Sequence, residues 1–263
     1  MAAPDVAMPA LPIQDRLLRG RDRRVRLAVT TTDALLEPGK LLDLTQPLGP
    51  ATILWPGSRP FAADVEVDHD THGAYARNLS MPEHSGTHLD APIHFFRDGV
   101  TVDQIPIGAL VRPAVCLDVR ELVGDSASFT LSAAMIEAIE ERDGVIPADT
   151  AVLICTGWDR YLGDAGRFRG PGGTLAFPGL AEDAASLLVK RGIAGIGIDT
   201  LGVDAGHATA FPVHYITLPA GLWHLEGLTN LERVPPRGAW LVAAAIPVVD
   251  ASGAPARVFA ILP

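Results

Sequence analysis

Short apolar runs separated by Gly- and Pro-bearing turns dominate the chain, and only two stretches carry a clear helical period. Residues 40–45 (Lys-Leu-Leu-Asp-Leu-Thr) predict a first strand ending near Pro47. Residues 65–68 alternate Val-Glu-Val-Asp as a half-buried strand does, and 75–81 supplies a partner. Further buried strands are predicted at 114–119, 151–156, 194–199, 239–248 and 257–262. Helical spacing is found at 131–142, where Leu131, Met135, Ile136 and Ile139 share a face between Thr130 and Gly144. It recurs at 180–191, with Leu180, Ala184, Leu187 and Leu188 on one face and a stop at Gly192. Strands outnumber helices and are interleaved with them. That pattern predicts a single α/β domain with a mixed β-sheet or barrel-like core and flanking helices.

The compact domain is expected over 39–263, preceded at 1–38 by a basic, Pro-containing arm with a short amphipathic helix at 14–27. A length of 263 residues suits one large core without disulfide staples. The two cysteines, Cys116 and Cys155, offer no framework and fit a reducing compartment. The net charge of −10 argues against a nucleic-acid partner, because cations to neutralise phosphates are lacking. The longest apolar stretch, 239–249, has eleven residues and contains Pro247, too short to span a bilayer. With no apolar leader either, the expected location is cytoplasmic, with no membrane contact. Residues 163–174 hold five glycines with Arg167 and Arg169, and read as a mobile loop, since no phosphate-cradling glycine motif is present.

Histidine placement changes this generic picture. All eight histidines fall in 69–94 or 207–224. The densest group is His84-Ser-Gly-Thr-His88-Leu-Asp90-Ala-Pro-Ile-His94-Phe95, whose imidazoles and carboxylate suit zinc or manganese. One helix cannot gather them, because Asp90 points away from His88 and Gly86 and Pro92 oppose helix. A flat strand would leave residues 84 and 88 roughly 13 Å apart. The chain must therefore bend, at Gly86 and again at Pro92, so that His84, His88 and Asp90 converge with His94 on the next corner. The second group adds His214, His224 and Glu226, and spacing alone does not choose among them.

With these residues the chain resembles the cyclase-like metal hydrolase family, which includes bacterial kynurenine formamidase and isatin hydrolase. The spacing H-x-x-x-H-x-D-x-x-x-H is the family's own. The resemblance runs from about Lys40 to the C-terminus through Leu42-Asp43-Leu44-Thr45, Thr156-Gly157-Trp158, Phe177-Pro178-Gly179-Leu180, Gly197-Ile198-Asp199-Thr200 and Val203-Asp204. It implies a swivelling β/β/α fold, with His84, His88 and Asp90 as metal ligands and His94 as catalytic base. It also implies His214 and Glu226 as the later ligand pair, and leaves His224 as a structural neighbour. Five donors on one ion would close it, so two zinc ions bridged by Asp90 or Glu226 are expected, with manganese as the alternative. Trp55, Phe96, Trp158, Phe177 and Trp223 flank the signature segments and are candidate contacts for an aryl substrate.

The activity implied is hydrolysis of a C–N bond in a small amide, such as N-formylkynurenine or isatin, by metal-activated hydroxide. The alternatives are a lactone or cyclic-ester hydrolase, a polyketide-type cyclase or dehydratase, and a non-catalytic protein with structural metals. The spare base His94 speaks against the last. The arm and the glycine-rich segment depart from strict kynurenine formamidases and leave the substrate open. Relatives imply a homodimer or homotetramer acting on a small molecule.

Overall fold

A computed structural model describes residues 38–263, so the helix expected at 14–27 and all of the arm before Pro38 lie outside the described residues. In chain order the strands are β1 (Leu41–Asp43), β2 (Ala62–Val67), β3 (Ala76–Ser80), β4 (His88–Asp90), β5 (Val111–Asp118), β6 (Thr130–Leu131), β7 (Ala151–Cys155), β8 (Gly179–Leu180), β9 (Gly195–Ile198), β10 (Trp223–Glu226), β11 (Trp240–Ala245) and β12 (Gly253–Ile261). Seven of them close into a barrel in the order β12-β11-β5-β7-β9-β10-β4, because β4 pairs again with the start of β12. The run β5-β7-β9-β10 is parallel and the remaining barrel pairings are antiparallel. β1 pairs with the far end of β12.

Alternation along the strands sorts side chains between two cores. Leu89, Ala114, Cys116, Ala151, Leu153, Leu225, Leu241 and Ala243 face the barrel interior, which small residues keep narrow. Val115, Leu117, Val152, Ile154, Ile196 and Ile198 face outward into a helical layer. That layer contains α1 (Ala133–Asp143), α2 (Glu182–Arg191) and α3 (Pro212–Thr217).

The two predicted helices stand, but each begins two residues late. Ser132 caps α1 by accepting from the Met135 amide, which leaves Thr130 and Leu131 extended. They pair in parallel with Gly179 and Leu180, so Leu180 too belongs to a strand. The segment 163–174 is also corrected. Ala165–Arg169 is a helical turn capped by Asp164, and its Phe168 is buried, so four of the five glycines flank an anchored element and Gly166 lies within it. Among the described residues, no helix is long and apolar enough to cross a membrane. The β2–β3 hairpin stands apart, with Val65, Tyr75 and Leu79 all more than half exposed.

Candidate metal centre

The site is built on two neighbouring strands. β4 and β10 run antiparallel with His224 opposite Asp90 and Glu226 opposite His88. Residues two apart on a strand share a face, so all four chemically active side chains project from one side of this two-strand wall. Leu89 and Leu225 take the other side, in the barrel core. Both predicted bends are present: Gly86 turns at φ 62°, a left-handed value that suits glycine, and Pro92 opens a short 3-10 turn ending at His94. From the helical layer, α3 brings His214 over the wall. Asp204 fixes the start of that helix by accepting from the Val213 and His214 amides.

Three imidazoles each spend one nitrogen outward. His88 Nδ1 donates to the Gly86 carbonyl at 2.9 Å, and His214 Nδ1 donates to Asp204 Oδ2 at 2.5 Å. His224 Nε2 meets Thr217 Oγ1 at 2.7 Å. Their other nitrogens face the carboxylates. His88 Nε2 lies 3.3 Å from Asp90 Oδ1 and 3.5 Å from Glu226 Oε2. His214 Nε2 lies 3.5 Å from both Asp90 Oδ2 and Glu226 Oε1. His224 Nδ1 lies 3.6 Å from Asp90 Oδ2. Each carboxylate thus turns one oxygen to each of two donor groups.

These separations are too long for hydrogen bonds. They match the spacing of about 3.4 Å between donors held tetrahedrally at about 2.1 Å from one ion. Asp90 Oδ2 and His224 Nδ1 are buried with no hydrogen-bond partner, a costly state that a cation between them relieves. The donor set therefore fits a divalent metal.

Electrostatics point the same way. Burial opposes charge on His88, yet its contacts to Asp90 and Glu226 outweigh that and raise its pKa to about 10. Burial likewise opposes charge on His214, and its bond to Asp204 with the nearby Asp90 and Glu226 overcomes it, holding the pKa well above the usual range. Glu226 is pushed up by burial and by Asp90, but the two imidazoles bring it down to about 2. The wall thus draws positive charge inward, and a metal ion displaces protons from such imidazoles when it binds.

The remaining two predicted imidazoles stand at the rim. His84 Nδ1 bonds Asp90 Oδ1 at 2.6 Å and Nε2 bonds Ser252 Oγ at 3.0 Å, so His84 reaches a metal by exchanging its bond to Asp90 for the ion, beside His88 and Asp90. His94 stacks on His84 at 4.0 Å between ring centroids. Burial, partly offset by Asp90, lowers the His94 pKa to about 4 and keeps the ring neutral. A cavity of about 560 Å³ opens beside them, lined by His84, His88, His94, His214 and Glu226 on its polar side.

Of the five aromatic contacts expected, only Trp55 lines this cavity. Phe177 is fully buried one layer behind it, edge-on to Trp55 at 6.4 Å. Trp158 is core, donating to the Phe168 carbonyl, and Trp223 packs over Gly195 and donates to the Ala109 carbonyl. Phe96 does not line the cavity; its amide closes the turn begun at Pro92. Phe95 and Phe211 do line it, and sequence reasoning passed over both. It also set His224 aside as a structural neighbour, and the structure brings its ring into one buried cluster of potential ligand groups with Asp90, His214 and Glu226. The available signal was the alternation in Trp-His-Leu-Glu at 223–226, which puts His224 and Glu226 on one face. His69 and His72 stand away, on the exposed turn of the hairpin.

The family model described as "Putative cyclase" matches residues 42–205. Isatin hydrolase of Roseibium aggregatum is 32% identical over 243 residues, spanning 85% of this chain and 92% of its own. Kynurenine formamidase of Salinibacter ruber is 27% identical over 82% of this chain and 95% of its own. Among solved structures, isatin hydrolase A from Ralstonia solanacearum matches with a TM-score of 0.84 at 34% identity, covering 90% of this chain and 99% of that one. An isatin hydrolase bound to the product analogue thioisatinate also gives 0.84, at 28% identity over 89% of this chain and all of that one.

Proposed function

Because this chain belongs to the cyclase family, we propose that it is a metal-dependent hydrolase that opens the C–N bond of a small, uncharged aryl amide, with a cyclic amide such as isatin as the leading substrate. One juxtaposition carries this reading: the donor wall borders an apolar cavity into which, among the described residues, no Lys or Arg points. N-formylkynurenine carries an α-carboxylate, which such a lining would strip of water without offering a cation in return. A flat neutral ring bears no such cost, and Trp55, Phe95 and Phe211 present aromatic surface to it.

Asp90, Glu226, His84, His88 and His214 would hold a divalent ion, which would lower the pKa of a bound water and polarise the substrate carbonyl. His94 is neutral and faces the cavity, so it takes the proton from the attacking water and returns it to the departing ring nitrogen. One water is added and the ring opens to an arylamine carboxylate. Asp204 keeps His214 aligned through its Nδ1–H. We take zinc, two ions per chain, as the resident metal and manganese as the alternative. Cyclic esters share the neutral shape and form the second substrate class.

The test is a substrate panel of isatin, N-formylkynurenine and small aryl lactones, run on protein stripped with a chelator and reloaded with zinc or manganese. The expected result is a kcat/KM for isatin at least tenfold above that for N-formylkynurenine. A preference for the amino-acid substrate overturns the substrate assignment. A homo-oligomer belongs to the same reading, since a two-stranded ribbon such as β2–β3 is marginal alone in water; light scattering that returns the monomer mass of 27.7 kDa contradicts it.

A further inference from the structure

The function proposed above uses five donors and leaves one buried imidazole unassigned. His224 is fully buried on β10, directly opposite Asp90. Its protonation follows from its neighbour. Thr217 has a single hydroxyl proton and gives it to the Val213 carbonyl one helical turn back, at 2.7 Å. Thr217 Oγ1 can therefore only accept from His224, so the His224 proton sits on Nε2 and Nδ1 carries a bare lone pair. That lone pair points at Asp90 Oδ2, 3.6 Å away, and neither atom has a partner. Two buried acceptors facing each other repel unless a cation lies between them.

We propose that His224 is a metal ligand, held in its ligating tautomer by Thr217, and that with Asp90, His214 and Glu226 it forms an inner four-donor site closed by protein. This rests on the metal-dependent reading above. His214 Nε2 lies 3.5 Å from both Asp90 Oδ2 and Glu226 Oε1, and the four buried side chains, His224 included, offer ligand atoms within 4.8 Å of one another. The other oxygens of Asp90 and Glu226 turn to His88, at the edge that opens to the cavity. Neither His224 nor Asp90 lines that cavity. Four protein donors complete a tetrahedral shell, which is the hallmark of a structural ion, whereas a catalytic ion keeps a position free. The centre would therefore be asymmetric: Asp90, His214, His224 and Glu226 would enclose one ion, and His84 and His88 would hold a second where the cavity opens to substrate. His224 departs from the five-donor set that the family resemblance implies.

The test uses full-length protein stripped of metal, reloaded with zinc, desalted and analysed for metal per chain, with a graded chelator competition to separate tight from weak ions. Wild type should hold two ions, one resisting chelator. His224→Ala should lose the resistant ion and keep one. Thr217→Val should weaken the resistant ion by about 10–100-fold and leave the other within threefold, and Thr217→Ser should restore it. In metal-free wild type, long-range 1H–15N spectra should show His224 as the Nε2–H tautomer, a reading that stands even if the alanine variant misfolds. Ions that survive His224→Ala with wild-type affinity, or an Nδ1–H tautomer, overturn this proposal alone. A single ion lost with His224→Ala keeps the ligand and overturns the two-site division. A wild type that takes up no zinc overturns the metal-dependent reading itself, and the proposal with it.

Discussion

Replacing Gly253 by alanine perturbs the centre without removing a donor group. Gly253 pairs with Asp90 across β12 and β4, and its bare Cα leaves room for the His84 ring. A methyl there would lie 2.7 Å from His84 Nδ1 and 2.8 Å from the Leu89 carbonyl oxygen. Ordinary contacts of this kind begin near 3.5 Å, so the His84 ring must move by about 1 Å and the backbone at 253 must also draw back from Leu89. The Leu89 carbonyl is part of the barrel ladder and cannot yield, so the His84 ring moves, breaking its 2.6 Å bond to Asp90. Overpacking of this size costs about 1–3 kcal/mol, or roughly 2–12 °C in Tm for a domain of this length. Misplacing a catalytic group by about 1 Å costs around 100-fold in rate. The assay is kcat/KM on isatin with metal content and Tm, beside Gly108→Ala, where a methyl meets nothing within 4 Å. If Gly253→Ala stays within threefold of wild type with an unchanged Tm, the packing around His84 has been misjudged.

Other expectations concern the groups themselves. His94→Ala should keep full metal content and lose about 100- to 10,000-fold in kcat; loss of metal instead would make His94 a ligand. Glu226→Ala should lower the metal-to-protein ratio, and an unchanged ratio would remove Glu226 from the centre. Zinc at a thousand times its Kd should raise stability by about 4 kcal/mol over metal-free protein, roughly 8–16 °C in Tm, and calorimetry in buffers of different ionisation enthalpy should register proton release. Away from the centre, the Arg191 guanidinium paired with Glu140 holds its carboxyl below the ordinary value of 4.5. That pairing stabilises the fold above the ordinary value and is lost as pH falls through the lowered one. Glu140→Gln should thus cost about 2 kcal/mol at neutral pH in urea unfolding, with the difference closing in acid.

Local signals in the chain reached far into this fold. Apolar runs at 114–119, 151–156 and 194–199 mark the parallel strands, and Gly86 and Pro92 mark the corners that gather His84, His88, Asp90 and His94. What escaped was non-local. Nothing near His88 says that β10 lies beside β4 in a register pairing His224 with Asp90, because that neighbourhood is created by barrel closure. Strands of three or four residues such as His88–Asp90 and Trp223–Glu226 are also so short that an alternation like that at 223–226 does not by itself mark a strand. The same holds for the aromatics. Trp158 and Trp223 flank the signature segments in sequence yet point into the cores, while Phe95 and Phe211 reach the cavity from a 3-10 turn and a left-handed cap. The late helix starts have a local cause, since Ser132 competes for the Met135 amide and leaves Leu131 free to pair with Leu180.

Metal dependence of the hydrolysis is tested by a chelator titration that follows isatin turnover, bound metal and near-ultraviolet circular dichroism on one preparation. Turnover should fall with loss of the first, weaker ion while the dichroism is still native, and zinc or manganese should restore it. Full turnover in protein shown to be free of metal would contradict that dependence.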